Sequence, residues 1–186
     1  MIITKEAIDR VRSGDEETFD LIYQETIQPI YRTLYFLLLD NKHDLEDIVQ
    51  EVYIELFRSL PNYDTTRSFQ AWVYGLLMRQ HQAYRRRQWR SGRKEARFQQ
   101  ANNPVFEADF STTVIQRISE EHLFHRIGQL SIKHREVILL HYLNDLTHVE
   151  MASILQIPVG TVKSRLHAAL SKLRENLKEE DLCMKI

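Results

Sequence analysis

Residues 158–166 read Pro-Val-Gly-Thr-Val-Lys-Ser-Arg-Leu, and their types and spacing suit groove reading better than any other run in this 186-residue chain. At 100° per residue, Val159, Val162, Leu166, Ala169, Leu170 and Leu173 share one side of a helix. Gly160, Thr161, Ser164, His167, Ala168 and Ser171 lie opposite, with Lys163 and Arg165 on the flanks. Small residues let a helix approach closely, polar ones reach base edges, and cations meet phosphates. Ser164 and His167 are assigned to base edges on this geometry, with Thr161 on the same face. Lys163 is assigned to a base or a phosphate, and Arg165 to a phosphate or an internal acid. An apolar helical period from Thr147 to Leu155, broken at Gln156 and Ile157, precedes this helix. The pair describes a helix-turn-helix.

Charge is sorted along the chain although the total is only −1. Residues 40–64 hold seven acids against Lys42 and Arg58. Residues 76–97 hold eight bases against Glu95, among them Arg79, Arg85, Arg86, Arg87 and Arg90. This asymmetry predicts two kinds of partner, a basic protein surface and a polyanion. Catalysis has no comparable support. The chain has eight histidines, but no His-Glu-x-x-His, no paired cysteines and no Gly-rich phosphate loop. No metal, no cofactor and no enzymatic activity are therefore expected. Cys183, the single cysteine, excludes an internal disulfide framework and favours a reducing compartment.

The elements that must position these residues read as helices throughout. Five Gly and four Pro leave few turns. Thr4 can cap a short helix that stops at Gly14. The apolar residues from Phe19 to Leu39 predict further helix, interrupted near Pro29. Asp44 is placed as the cap of an amphipathic helix whose apolar positions are Leu45, Ile48, Val49, Val52, Tyr53, Leu56 and Phe57. The loop 60–67 follows, and Ser68 caps a helix that carries Phe69, Trp72, Val73, Leu76 and Leu77 into the arginines. From about Phe98 the period dissolves, and Asn102-Asn103-Pro104 marks a turn. Helical signal resumes from Val114. The expected architecture is all-α, with two small helical domains (1–97 and 116–186) joined by a flexible linker at 98–115, the second ending in the helix-turn-helix. No stretch approaches the roughly 20 apolar residues of a membrane span, so no membrane insertion is expected. The first residues lack a basic segment followed by an apolar core, so no secretory signal is expected either.

The two halves together resemble the bacterial RNA polymerase sigma-70 family, in its small two-domain extracytoplasmic-function (ECF) group. The first half resembles it through Leu45-Glu46-Asp47-Ile48-Val49-Gln50-Glu51-Val52-Tyr53 and Phe69-Gln70-Ala71-Trp72-Val73-Tyr74. The second does so through Arg135-Glu136-Val137, through residues 146–155, and through Pro158 to Leu166. The resemblance implies a cytoplasmic bacterial protein that directs core polymerase to promoter DNA. It implies that Glu46, Asp47, Gln50 and Glu51 grip the β′ clamp helices. It implies that the loop 61–67 and the next helix stabilise the separated −10 strand, with Asn62, Tyr63 and Tyr74 available for bases and Arg79, Arg85, Arg86, Arg87 and Arg90 for the backbone. Trp72 lies on the apolar stripe and is assigned to the core. The second domain is implied to read the −35 duplex and touch the β flap, and an anti-sigma factor is a partner the family commonly uses. This chain departs from the family pattern at Gly75, Arg79 and Ala83, where Arg, Asn and Asp are common, and at Ala168 and Leu170, where basic residues are common. A stand-alone helix-turn-helix regulator is the alternative, but it would need neither the acidic helix nor the aromatic–arginine segment.

Overall fold

The computed structural model describes residues 5–39, 41–95 and 126–183, and the regular elements among them are all helical. Helix α1 (Lys5–Arg12) ends where Gly14 takes φ +90°, a left-handed conformation that a Cβ would strain. Asp15 then caps α2 (Glu16–Leu37), accepting from the Thr18 backbone N–H at 3.3 Å and the Thr18 hydroxyl at 2.9 Å. The expected interruption at Pro29 does not occur, because α2 runs through it. Proline costs about 3 kcal/mol inside a helix. Here Glu25, whose carbonyl loses its partner, is exposed to water, while Ile22, Ile30 and Leu34 on the opposite stripe are fully buried. Burial of that stripe outweighs one solvated carbonyl.

Helix α3 (Leu45–Ser59) buries Leu45, Ile48, Val52 and Leu56, the i, +3, +7, +11 stripe of an amphipathic helix. Two expectations about it need correction. Asp44 stands at the N-cap but makes no capping bond; its carboxylate accepts instead from the Tyr84 hydroxyl at 2.6 Å and from Gln88 at 3.1 Å. The longer-range partners on the next helix compete successfully for those oxygens. Phe57 is 61 % exposed, lying edge-on to Phe19 at 5.1 Å. It sits one position round from the buried Leu56 and leaves the core.

Helix α4 (Phe69–Glu95) begins at Ser68, whose hydroxyl accepts from the Ala71 N–H at 3.2 Å. It packs on α2 and α3 and carries Val73, Leu76, Leu77 and Met78 into the core.

In the C-terminal half the described residues open with a helical turn at 126–129. Helix α5 (Ile132–Ile138) follows and continues through a π turn, Leu139–Leu143. Helix α6 (His148–Leu155) opens with a reciprocal cap in which Thr147 and Glu150 satisfy each other's backbone donors. It closes at Gln156, which takes φ 54° and returns its N–H to Ala152. After that tight turn α7 (Val159–Cys183) packs on α5 and α6. The helix-turn-helix is therefore built as its sequence predicts. The expected linker at 98–115, the helical signal from Val114 up to residue 125 and the Thr4 cap lie outside the described residues.

The two halves touch. Helix α6 packs along α4, and α5 with its π turn packs on α2. The seam is polar as well as apolar. Asn144 exchanges hydrogen bonds with the Thr33 hydroxyl at 3.1–3.2 Å and bonds the Leu139 carbonyl at 3.0 Å. Gln70 on α4 donates to the Asn144 carbonyl at 2.7 Å. Arg135, 4 % exposed, donates to the carbonyls of Ile127, Gly128 and Leu130 in its own half and to that of Phe36 in the other. It closes the open C-terminal end of the 126–129 turn, where carbonyls lack helical partners.

Candidate nucleic-acid interface

The reading helix presents its residues as the periodicity requires. Val162, Leu166 and Ala169 are buried, while Val159, Leu170 and Leu173 pack partly against the core. Lys163, Ser164 and His167 are exposed on the opposite side, and Thr161 is half-buried beside them. The Ser164 hydroxyl rests on the Thr161 carbonyl at 3.1 Å, a weak local bond that a base edge can replace. Arg165 is half-buried and close enough to the second layer to act on His134 and Glu136 electrostatically.

In the first half, Glu46, Asp47 and Gln50 are exposed along α3, turned away from its buried stripe. Ile54, 50 % exposed, and Phe57 continue that face toward the C-terminus. The helix thus offers acids followed by apolar surface, a combination missed by assigning Phe57 to the core. Glu51 differs from its neighbours. It is half-buried and receives both bonds of a forked contact from Arg87, at 2.7 and 2.9 Å. An assigned protein-binding acid and an assigned DNA-binding base are therefore partners of each other.

The remaining assigned residues of the first half divide by exposure. Asn62, Arg79, Arg85, Arg86 and Arg90 are exposed. Tyr63 and Tyr74 are 5 % and 1 % exposed, so their ring faces are covered in this arrangement. Tyr63 meets Phe69 edge-on at 5.4 Å and Trp72 at a tilt at 4.7 Å, and its hydroxyl donates to the Arg67 carbonyl at 2.6 Å. Burial raises the pKa of both phenols, that of Tyr74 to about 12. Trp72 is partly buried in the same aromatic cluster, as its place on the stripe predicts. Trp89, 64 % exposed among the arginines, is an aromatic face that sequence reasoning passed over, although it lies within the basic run.

No group of three or more His, Cys, Asp or Glu side chains among the described residues is arranged to hold a metal ion.

Sequence matches now decide the family. The chain matches the family described as Sigma-70 region 2 over residues 22–91 and that described as Sigma-70, region 4 over residues 122–173. The chain belongs to the sigma-70 family, in its ECF group. It is 28 % identical to the ECF RNA polymerase sigma factor SigW of Bacillus subtilis, over 96 % of this chain and 98 % of the relative. It is 27 % identical to SigX of the same organism, over 87 % and 84 %. The fold of this sigma factor is shared with CnrH, solved with the cytosolic domain of CnrY (TM-score 0.65, 20 % identity, 93 % of this chain and 96 % of that one). It is also shared with RpoE of Bartonella quintana, solved with the anti-sigma factor NepR (TM-score 0.67, 20 % identity, 84 % and 96 %). Sigma factors are not enzymes, and neither is this chain. No helix among its described residues is long and apolar enough to cross a membrane.

One buried group in this sigma factor belongs to neither interface. His81 on α4 is 1 % exposed, and its Nδ1 has no hydrogen-bond partner among the described residues. Burial, with the positive charges of Arg85 and Arg135 beside it, lowers its pKa to about 4. Glu136, 3.9 Å away, is raised by burial against the pull of Arg85, Arg165 and Lys133. A histidine held neutral in the fold stabilises above its unfolded pKa near 6.5, and the benefit is lost as pH falls from there toward about 4. Acidification from pH 6.5 to 5 is therefore expected to lower stability by on the order of 2 kcal/mol through this group alone. Glu136 works the other way, its raised pKa favouring the fold as it takes up a proton. Urea midpoints of His81→Leu and wild type across this range separate the two: the variant should lose clearly less on acidification, and parallel curves would count against the assignment.

Proposed function

We propose that this chain directs core RNA polymerase to promoters in the bacterial cytoplasm. In this reading α3 grips the β′ clamp helices through Glu46, Asp47, Gln50 and Glu51. Helix α4 and the loop before it hold the separated −10 strand, through Asn62, Tyr63 and Tyr74 at the bases and Arg79, Arg85, Arg86, Arg87 and Arg90 along the backbone. Helix α7 reads the −35 duplex through Thr161, Lys163, Ser164, Arg165 and His167, and the second half also meets the β flap. An anti-sigma protein is a further partner in this reading. The domains are residues 1–97 and 116–186, joined by a linker at 98–115. The observation that carries the reading is the coexistence of an exposed acidic helix face, an exposed arginine row on α4 and an outward-facing recognition helix in one chain. The deciding experiment is gel filtration with core polymerase, followed by run-off transcription from a randomised promoter pool. Co-elution and selection of a −10/−35 consensus is the expected result. DNA binding as a dimer with no affinity for core enzyme would replace this reading with a stand-alone regulator.

The arginines of α4 are expected to supply backbone electrostatics rather than base choice. Each phosphate contact on a single strand contributes roughly 0.7 to the slope of log affinity against log salt. Because Arg87 is held by Glu51, replacing Arg85, Arg86 and Arg87 with Ala should flatten the slope by nearer two contacts than three, about 1.4. Open-complex formation titrated with salt on two unrelated promoters measures this, and a change in base preference at constant slope would contradict it.

For the −35 element, Lys163→Ala and His167→Ala should each change which sequences are selected, by roughly 1–3 kcal/mol at one position. Arg165→Ala, on the half-buried flank of α7, should lower binding to every sequence alike. Selection from a pool randomised at −35 checks both; a wild-type motif from the first two variants and an altered one from the third would invert the orientation of α7 in the groove.

A further inference from the structure

Helix α1 lies before the residues matched to Sigma-70 region 2, yet it reaches the loop that the proposed function places at the −10 strand. Ile8 is fully buried and Val11 partly so, and Arg12 shares their side of the helix at i, +3, +4 spacing. The helix packs on α2 and on the 3-10 turn Leu60–Asn62 that opens the loop. Arg12 bridges two acceptors. Its Nη1 donates to Asp9 at 2.9 Å and its Nη2 to the Tyr63 carbonyl at 2.6 Å, 51 residues away in sequence. Tyr63 leaves the 3-10 turn in an extended conformation (φ −66°, ψ 130°), where a carbonyl no longer has a helical donor. The rest of the loop hangs from that peptide. The Asp64 carboxylate accepts from the Thr66 N–H at 3.0 Å and the Thr66 hydroxyl at 2.7 Å, and the Asp64 carbonyl accepts from the Arg67 N–H at 3.1 Å. The Tyr63 hydroxyl closes the far end on the Arg67 carbonyl. Asn62, Asp64, Thr66 and Arg67 are left exposed around this buried ring.

We infer that Arg12 is a positioning residue for promoter choice: by holding the Tyr63 carbonyl it fixes the loop 61–67 in the conformation that reads −10 bases. The inference rests on the reading of this loop as part of the −10 surface given above. A loop that reads a base must present its polar groups to within about 0.5 Å, which requires support from residues behind it. The ring and hydroxyl of Tyr63 anchor its side chain against Phe69, Trp72 and the Arg67 carbonyl. They do not fix the peptide between Tyr63 and Asp64. A peptide plane between two anchored residues can still turn over by opposite changes in the ψ before it and the φ after it. Such a turn would swing the Tyr63 carbonyl away and redirect Asp64, on which the bonds to Thr66 and Arg67 depend. The guanidinium opposes it, because the carbonyl would have to leave a charge-assisted bond. Asp9 holds the guanidinium in place from within α1. With both of these acceptors engaged, Arg12 acts through the loop and not by touching DNA. A loop ordered beforehand also avoids the ordering cost on binding.

The test uses the full chain. Wild type, Arg12→Ala, Arg12→Lys, Arg10→Ala and Asn62→Ala are each assembled with core polymerase, and run-off transcription selects promoters from a pool randomised at −10 and −35. In the free chain, solvent exchange of the Tyr63, Thr66 and Arg67 amides, measured by NMR, reads the loop without DNA. Ile8 and Val11, which dock α1, are untouched in every variant, so the fold persists. In Arg12→Ala the three amides should exchange at least about tenfold faster, as for the loss of one bond to a charged group. Its preference should fall at least about fivefold at the −10 position that Asn62→Ala also alters, the low end of what one good base contact discriminates. The −35 preference should not move. Arg12→Lys keeps a cationic donor for the carbonyl and should keep most of the wild-type preference. Arg10→Ala removes only the exposed bridge to Asp15 on the same helix and should select as wild type does. A loss of folded protein alone would lower transcription from all promoters in proportion and leave the preference intact. Unchanged amide exchange in Arg12→Ala, faster exchange with the wild-type preference, or an equal shift in Arg10→Ala overturns the inference. If exchange quickens but Asn62→Ala leaves every −10 preference intact, the reading of the loop fails and the inference falls with it, although Arg12 still braces the loop.

Discussion

Asp47→Lys combined with Gln50→Ala is expected to weaken binding to core RNA polymerase by about 2–5 kcal/mol, a loss of roughly thirtyfold to several thousandfold. Both side chains are exposed on α3, and the helix beneath them is held by Leu45, Ile48, Val52 and Leu56, which are all buried. The substitutions touch none of that packing, so the fold should persist while the charge presented to a basic partner reverses. Truncating Gln50 removes a side chain able to bridge the pair, and placing Lys where a carboxylate faced a cation adds repulsion to the lost attraction. Fluorescence titration of labelled protein with core enzyme measures the loss, with far-ultraviolet circular dichroism as the folding control. An unchanged affinity in a folded double variant would remove α3 from the interface. Glu51 is a poorer choice for this experiment, because its contact with Arg87 ties any substitution there to α4.

Arg135→Ala should destabilise the protein by about 3 kcal/mol or more, which is large against the 5–15 kcal/mol typical of a folded domain. One buried guanidinium satisfies four carbonyls, three of them at the end of the 126–129 turn. Alanine removes this donor at a place water reaches poorly; the Ile127 carbonyl keeps the Leu130 N–H at 3.2 Å, and each carbonyl left without a partner costs about 1–3 kcal/mol. Arg135→Lys should recover only part, since an ammonium cannot spread a planar fork over several acceptors. Chemical denaturation monitored by circular dichroism measures both. Equal stability of wild type and Arg135→Ala would mean that the carbonyls find other donors. The same variant should weaken the seam with the first half, since the Phe36 carbonyl loses its cross-half donor.

What could be read without coordinates was local and periodic. The α3 stripe, the Ser68 cap, the Thr147–Leu155 helix and the two sides of α7 all follow from spacing, because a helix face is set by the 3.6-residue repeat wherever one side is buried. The family was legible because acidic helix, aromatic–arginine segment and helix-turn-helix occur in that order. Three misreadings share a different cause. Pro29 inside α2, Asp44 without a cap bond and Phe57 out of the core were each decided by partners far along the chain, not by neighbours in sequence. Propensity at one residue is worth a few kcal/mol at most, and tertiary burial overrides it.

By itself, then, the sequence determined the helices, their buried sides, the sorting of charge and the family they compose. Only the tertiary structure decided which charged groups are already committed. Glu51 is held by Arg87, and Arg135 is a structural donor rather than a surface cation. It also decided that α6 lies over α4, through contacts between residues as far apart in sequence as Thr33 and Asn144. The physical reason is the same in each case. Periodicity states which side of a helix avoids water, but the identity of what it meets there depends on how separate helices are brought together, and no local repeat encodes that meeting.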